Sequence, residues 1–470
     1  MAAPTLTHFE KPITLSVSGV VIDEFGDGLP DISITISIGG LLVTSARSDS
    51  AGTFDCRDVK LDAAIHAIEA QAPGYRSAKE SLSVTPELEG KTVNVSLRLE
   101  SLEVPREPLE KEPEVTSADS NATTFGRSGV LYSHLPTDSG FARVRVFFAT
   151  DRREGLVREN DFRKAFTDAR AEDNKLRFGQ CEVSIPAGHR MGALESPSAF
   201  RLEFRRDPVK HVVLLNLEKL EKERFFSNIS EASKSSKNGE AFVFVHGYSV
   251  TFAEALRRTA QIAYDLSFQG APICYSWPSR GKYSEYPADE AAVEWTEAHL
   301  LELLNELSSQ EDVKTIHLLA HSMGNRALLR CLERLGNNMV GGVVSKLHQT
   351  ILAAPDIDAG VFENIASDVV KTASRTTLYA SSNDLPLRWS KDFHGYRRAG
   401  DSEEGVVIVS GVDTIDASNV PSGFLGHSYY GNSRTLLSDI FELFKTGTAP
   451  PRFGLRPEHC NGQPYWVFVP

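Results

Sequence analysis

Thr315-Ile316-His317-Leu318-Leu319-Ala320-His321-Ser322-Met323-Gly324-Asn325-Arg326-Ala327-Leu328-Leu329-Arg330-Cys331-Leu332-Glu333-Arg334-Leu335-Gly336 joins two kinds of apolar pattern. Its first six residues form a short apolar run of strand length, whereas Leu328, Cys331, Leu332 and Leu335 recur at helical spacing. The pattern predicts a buried strand that turns sharply into an amphipathic helix, with Ser322 on the turn. Such a turn lifts a hydroxyl above the end of a sheet and requires small residues two before and two after it. Ala320 and Gly324 supply them, Ala320 standing where glycine is commoner.

Working outward, further short apolar runs alternate with helical ones. Candidate strands precede Ser322 at 143–150, 212–216, 241–245 and 272–276, and follow it at 350–354, 377–380 and 406–410. Between them Leu256, Ala260 and Ala263 share one helical face, as do Val293, Leu300, Leu301, Leu304 and Leu307. Strands alternating with helices predict an α/β domain, a mostly parallel sheet with helices on both faces, in the order of an α/β-hydrolase fold.

Acyl transfer by a serine needs a base, an acid that orients the base, and donors where negative charge develops. The amide of Met323, at the start of the helix, is one expected oxyanion donor. The loop Val245-His246-Gly247-Tyr248 supplies the second: Gly247 permits close approach and the Tyr248 N–H donates, with His246 read as a side chain that orients the loop or meets substrate. Histidines after Ser322 are His348, His394, His427 and His459; only the last two follow the 406–410 run, and His459 lies in a Pro-rich tail, so His427 is the expected base. Asp384, after the 377–380 run, is the expected acid. Asp356 is its competitor, while Asp358, Asp413 and Asp416 read as loop-capping carboxylates. Trp277, Tyr248, Tyr429 and Tyr430 either line a substrate pocket or simply pack. The short interval between Asp356 and Arg375 leaves no room for a large lid there, which predicts an open, shallow site.

The first hundred residues differ in kind. Runs at 14–22, 32–38 and 93–99 alternate with period two between turn signals such as Gly26-Asp27-Gly28 and Pro73-Gly74-Tyr75, predicting a small all-β sandwich over 1–100. From 101 to 127, Pro105, Pro108 and Pro113 stand among Glu103, Glu107, Glu110, Glu112 and Glu114, the composition of an extended acidic linker; the catalytic domain then spans 128–470. A net charge of -13 argues against a nucleic-acid partner. Five scattered cysteines, no basic and apolar leader, and no long apolar span are the pattern of a cytoplasmic protein without a transmembrane segment.

Gly19-Val20-Val21-Ile22-Asp23, Gly28-Leu29-Pro30-Asp31, Ser50-Ala51-Gly52-Thr53-Phe54 and Ala72-Pro73-Gly74-Tyr75 resemble the carboxypeptidase regulatory-like or transthyretin-like sandwich, which implies a scaffold that accompanies a catalytic domain. Phe147-Phe148-Ala149-Thr150-Asp151-Arg152, Phe244-Val245-His246-Gly247-Tyr248, Tyr275-Ser276-Trp277-Pro278-Ser279, Ala320-His321-Ser322-Met323-Gly324-Asn325-Arg326, Leu352-Ala353-Ala354-Pro355-Asp356 and Gly426-His427-Ser428-Tyr429-Tyr430 resemble bacterial alpha/beta hydrolases catalogued as a domain of unknown function, over roughly 143–444. That resemblance implies the hydrolase fold, Ser322 as nucleophile and His427 as base. The expected activity is hydrolysis of a small ester or acyl substrate without metal or organic cofactor. The alternative from another class is a catalytically silent interaction protein, and a lipase, thioesterase or peptidase would use the same residues.

Overall fold

The computed structural model describes residues 8–23, 29, 32–38, 41–48, 53–63, 65–71, 75–85, 88–101, 140–157, 161–195, 206–280, 286–338, 342–382, 387, 390–391, 394–420 and 434–469. Two compact units divide the chain, one including Leu29–Val130 and the other Leu131–Pro470. The acidic stretch at 101–127 lies outside the described residues except for Ser101.

The N-terminal unit contains β1 (His8–Asp23), β2 (Ser33–Ile38), β3 (Leu41–Arg47), β4 (Thr53–Ala63), β5 (Ile65–Gln71), β6 (Tyr75–Arg76), β7 (Ala78–Ser83) and β8 (Thr92–Ser101). They form two four-stranded sheets, β4-β1-β8-β6 and β3-β2-β5-β7. Period-two alternation turns Leu15, Val17 and Val21 of the first sheet and Ile34, Ile36, Ile68 and Ala70 of the second into one shared core. This is the sandwich predicted from the alternation.

In the second unit the strands are β9 (Phe141–Thr150), β10 (Arg152–Glu154), β11 (Phe166–Arg170), β12 (Arg177–Pro186), β13 (Leu214–Leu220), β14 (Glu240–Val245), β15 (Ala271–Ser276), β16 (Thr315–His321), β17 (Leu347–Ala353), β18 (Arg375–Ala380), β19 (Val412–Asp416), β20 (Leu455–Cys460) and β21 (Gln463–Phe468). The helices are α1 (Lys222–Ser233), α2 (Phe252–Asp265), α3 (Tyr286–Trp295), α4 (Glu297–Ser309), α5 (Gly324–Asn338), α6 (Gly342–Lys346), α7 (Ala359–Val369) and α8 (Arg434–Thr446). Eleven strands make one mixed sheet in the order β13-β12-β9-β15-β14-β16-β17-β18-β19-β21-β20. Its middle, from β9 to β21, is parallel, and antiparallel pairs close both edges.

From β14 the chain moves through α2 to β15 on one side, then crosses back to β16 on the other. Right-handed crossovers in opposite directions place their helices on opposite faces and open a crevice at the carboxyl ends of β14 and β16. The loop at His246 and the turn at Ser322 both lie at that crevice.

Three expectations change. The apolar run at 406–410 is not a strand; the ladder position beside β18 belongs to Val412–Asp416, while Val407 is buried off the ladder and accepts a hydrogen bond from Thr414 Oγ1 at 2.7 Å. The Pro-rich tail folds as the hairpin β20–β21, with β21 parallel to β19 through Trp466 and Val467. Pro457 sits on the edge strand and Pro464 beyond the stretch paired with β19, where a missing N–H costs little. The expected strand at 212–216 is shifted to Leu214–Leu220 and runs antiparallel at the sheet edge.

Candidate active site

Ser322 sits at the end of β16 with φ at +49°, a left-handed conformation that costs a residue with a Cβ and persists only when its surroundings hold it. Here the surroundings do so. The Ser322 N–H donates to Ala353 O at 3.0 Å, and Ser322 O accepts from Asp356 N at 3.2 Å and Asn325 Nδ2 at 2.9 Å. Gly324 lies so close to the neighbouring loop that a Cβ on it would stand 2.3 Å from His246 O, and one on Gly247 would stand 3.0 Å from Ser322 Cβ. The turn and the 246–250 loop are therefore packed backbone against backbone, which explains the small residues at both positions.

Met323, immediately before α5, is fully buried. Its amide is positioned at the positive end of that helix. Tyr248 is also buried, its ring edge-on to Tyr286 of α3 at 5.2 Å. Ser249, the next residue, has φ at +58°, so the loop turns sharply there.

His246 is 1% exposed and stacks on Trp277, with ring centroids 5.1 Å apart. Its Nδ1 lies 2.7 Å from Gly247 O, while Nε2 faces Arg152 Nη2 and Ser276 Oγ, each at 3.3 Å. A carbonyl only accepts and a guanidinium only donates, so Nδ1 carries the proton and Nε2 the lone pair. Burial, reinforced by the Arg152 charge, holds the imidazole well below its ordinary pKa, in keeping with a neutral ring. Both ring nitrogens of His246 are thus engaged within the protein, as suits a side chain that orients the loop. Trp277 is likewise packed: it has no exposed surface, and its Nε1 donates to His246 O at 2.7 Å. Trp277 is thus packed against His246 with no exposed surface.

Arg152, which motif reading left without a role, is fully buried beneath this loop. Its Nε donates to Ser276 Oγ at 2.9 Å, Nη1 to Ser279 O at 3.0 Å and Nη2 to Val250 O at 2.8 Å. Asp289 of α3 completes the arrangement, accepting from Ser279 Oγ at 2.6 Å and Arg280 N at 2.7 Å; burial raises its pKa to about 6. Both residues were missed. The sequence signal for Arg152 is the charged pair Asp151-Arg152, one residue past the apolar Phe147–Ala149 run; Asp289 carries none.

Asp356 follows β17 and is 2% exposed. Tyr286 Oη donates to its Oδ2 and Ser390 Oγ to its Oδ1, both at 2.6 Å, with Arg326 Nη2 3.5 Å and Arg398 Nε 3.4 Å away. Arg326 also donates through Nη1 to Glu290 at 2.6 Å. The carboxylate ties α3 and α5 to Ser390 and Arg398. Ser322 itself is 5% exposed.

Asp384, His427, Tyr429 and Tyr430 lie outside the described residues. Among the other carboxylates, Asp358 caps α7 by accepting from Val361 N at 2.9 Å, Asp413 pairs with Arg375 at 2.5 Å, and Asp416 accepts from Ser418 N at 3.0 Å. Of the remaining histidines, His459 is exposed on the edge strand β20, His394 meets Glu290 at 2.7 Å, and His348 packs against His317. Among the described residues no cluster of three or more His, Cys, Asp or Glu side chains is arranged to hold a metal ion. No helix among them is long and apolar enough to cross a membrane.

A serine on a strained strand-to-helix turn at the crevice of a mostly parallel sheet, faced by a glycine loop, defines the alpha/beta hydrolase class. Residues 221–443 match the family described as alpha/beta hydrolase of unknown function (DUF900), and residues 16–100 match the carboxypeptidase regulatory-like domain. The chain therefore carries an alpha/beta hydrolase domain of that family behind a carboxypeptidase regulatory-like domain. No curated protein sequence matches it. Similar solved structures include chlorocatechol 1,2-dioxygenase from Pseudomonas putida, 11% identical over 20% of this chain and 62% of that one at a TM-score of 0.16. Another is the major pilin subunit of Bacillus cereus, 10% identical over 19% of this chain and 31% of that one, also at 0.16. The chain thus spans less than two thirds of either relative's length, and likeness at this level assigns nothing to it.

Proposed function

We propose that the C-terminal unit hydrolyses carboxylic esters through Ser322, His427 and Asp384. Ser322 Oγ attacks the acyl carbonyl carbon as His427 takes its proton, and the Tyr248 and Met323 amides receive the oxyanion. The carbonyl re-forms, the bond to the alcohol oxygen breaks, and His427 passes the proton to the departing alkoxide. Water then attacks the acyl-enzyme, losing a proton to His427. Collapse of the second tetrahedral intermediate frees the acid, and Ser322 Oγ recovers the proton.

The observation that carries this reading is the Ser322 backbone at φ +49°, pinned on three sides with Gly247 against its Cβ. Strain of this kind is maintained where a side chain must be displayed. Asp356, bonded to Tyr286 and Ser390 and flanked by Arg326 and Arg398, has a structural tie of its own, which favours Asp384 as the acid.

Turnover of p-nitrophenyl esters across acyl lengths tests the assignment. Ser322→Ala and His427→Ala should each lower kcat at least roughly 10³-fold and Asp384→Ala about 10⁴-fold or less. Asp356→Ala should act mainly on stability. Full activity in Asp384→Ala with loss in a folded Asp356→Ala would reassign the acid.

A further inference from the structure

A fully buried arginine is costly, and among the described residues no carboxylate pairs directly with Arg152; it bonds the Ser279 carbonyl, while the Ser279 hydroxyl bonds Asp289. An apolar side chain would fill the same space more cheaply. The guanidinium touches both ends of the 246–250 loop and the 276–279 loop beside it, with a longer contact to Thr167 O at 3.4 Å.

We infer that Arg152 is a positioning residue for the oxyanion donor, acting through His246 to fix the plane of the Gly247–Tyr248 peptide. The inference rests on the reading of the Tyr248 amide as that donor. A trans peptide is planar, so the Gly247 carbonyl and the Tyr248 N–H point in opposite directions. Whatever holds that carbonyl aims that N–H. His246 Nδ1–H holds it at 2.7 Å, and can do so only while Nε2 is the acceptor nitrogen. Arg152 Nη2, a donor that cannot accept, faces Nε2 and enforces this tautomer, while its bond to Val250 O anchors the far end of the loop. Val250 N is in turn held by Ser279 Oγ at 3.2 Å. Without the guanidinium, the tautomer and the loop end are both released. The peptide can then turn its carbonyl, not its N–H, toward the developing oxyanion.

The test uses the full chain with two readouts, steady-state ester kinetics and amide hydrogen exchange over the peptide containing 246–250. Arg152→Met should lower kcat about 10²-fold with KM within about twofold, because a donor used in the transition state is lost and not a binding contact. Exchange over 246–250 should quicken about tenfold or more while β16 and α5 keep their protection. Arg152→Lys, which retains a buried donor, should recover about tenfold of the lost kcat. A folded Arg152→Met with unchanged kcat, unchanged exchange, or a loss confined to KM would overturn the inference. If Arg152→Met does not fold, Ser279→Ala decides: quicker exchange over 246–250 and a several-fold lower kcat support the clamp, and wild-type behaviour in both contradicts it. If the wild-type chain turns over no ester, the hydrolase reading fails, and the exchange readout alone still upholds or overturns the clamp.

Discussion

His246 and His317 are both buried histidines at the heart of the parallel sheet, one just past β14 and one within its neighbour β16, yet they live by different rules. Every polar atom of the His246 ring is engaged, with Gly247 O on one side and Arg152 and Ser276 on the other. Neither nitrogen of His317 has a partner among the described residues; the ring stacks on Phe444 at 4.1 Å, and burial with His348 nearby pushes its pKa down to about 3. A partnered buried imidazole transmits direction to the backbone it bonds. An unpartnered one only costs desolvation. The difference separates the end of the sheet built for chemistry from its interior.

The sharpest way to break the ordered side is Gly324→Ala. Its Cβ would press into His246 O and Val245 O, and the His246 loop or the Ser322 turn must move. Ester kcat should fall about 10²-fold or more, with about 1–3 kcal/mol lost in denaturant unfolding. His246→Phe keeps a ring against Trp277 but removes the bond to Gly247 O. It should lower kcat by about tenfold or more and cost about 1–3 kcal/mol, the penalty of leaving buried groups unsatisfied.

The same change at the other histidine should do the reverse. His317→Phe removes an unpartnered polar ring and should raise stability by about 1 kcal/mol while leaving kcat alone. It should also flatten the acid limb of the stability curve. A buried histidine with a depressed pKa stays neutral while the unfolded chain takes up a proton, so stability falls as pH drops below about 6.5 toward about 3. The smallest expected effect is at His189, which has the opposite sign. Burial would lower its pKa, but hydrogen bonds to Asp265 and Glu195, at 2.9 and 2.8 Å, raise it to about 9. Its support is complete below about pH 6.5 and disappears as pH rises through about 9. His189→Gln should flatten the alkaline limb in thermal melts and leave ester turnover at neutral pH unchanged.

What the sequence revealed follows how local each determinant is. The turn at Ser322 and the loop at Gly247 were legible because strand, small residue and helix face are adjacent in the chain. Arg152 was not, because its partners Val250, Ser276 and Ser279 come from other elements that only the assembled sheet brings to it. The 406–410 run carries stronger strand propensity than Val412–Asp416, but ladder position is set by pairing with β18, and propensity lost. The C-terminal hairpin was hidden by prolines that its edge position tolerates.

The central claim is that the strained turn displays a reactive nucleophile at Ser322. Fluorophosphonate labelling of the full chain, read as intact mass and mapped by peptide digestion, tests it most directly. One adduct on the peptide containing Ser322, absent from a folded Ser322→Ala, is the predicted result; an unlabelled wild type, or equal labelling of Ser322→Ala, would contradict it.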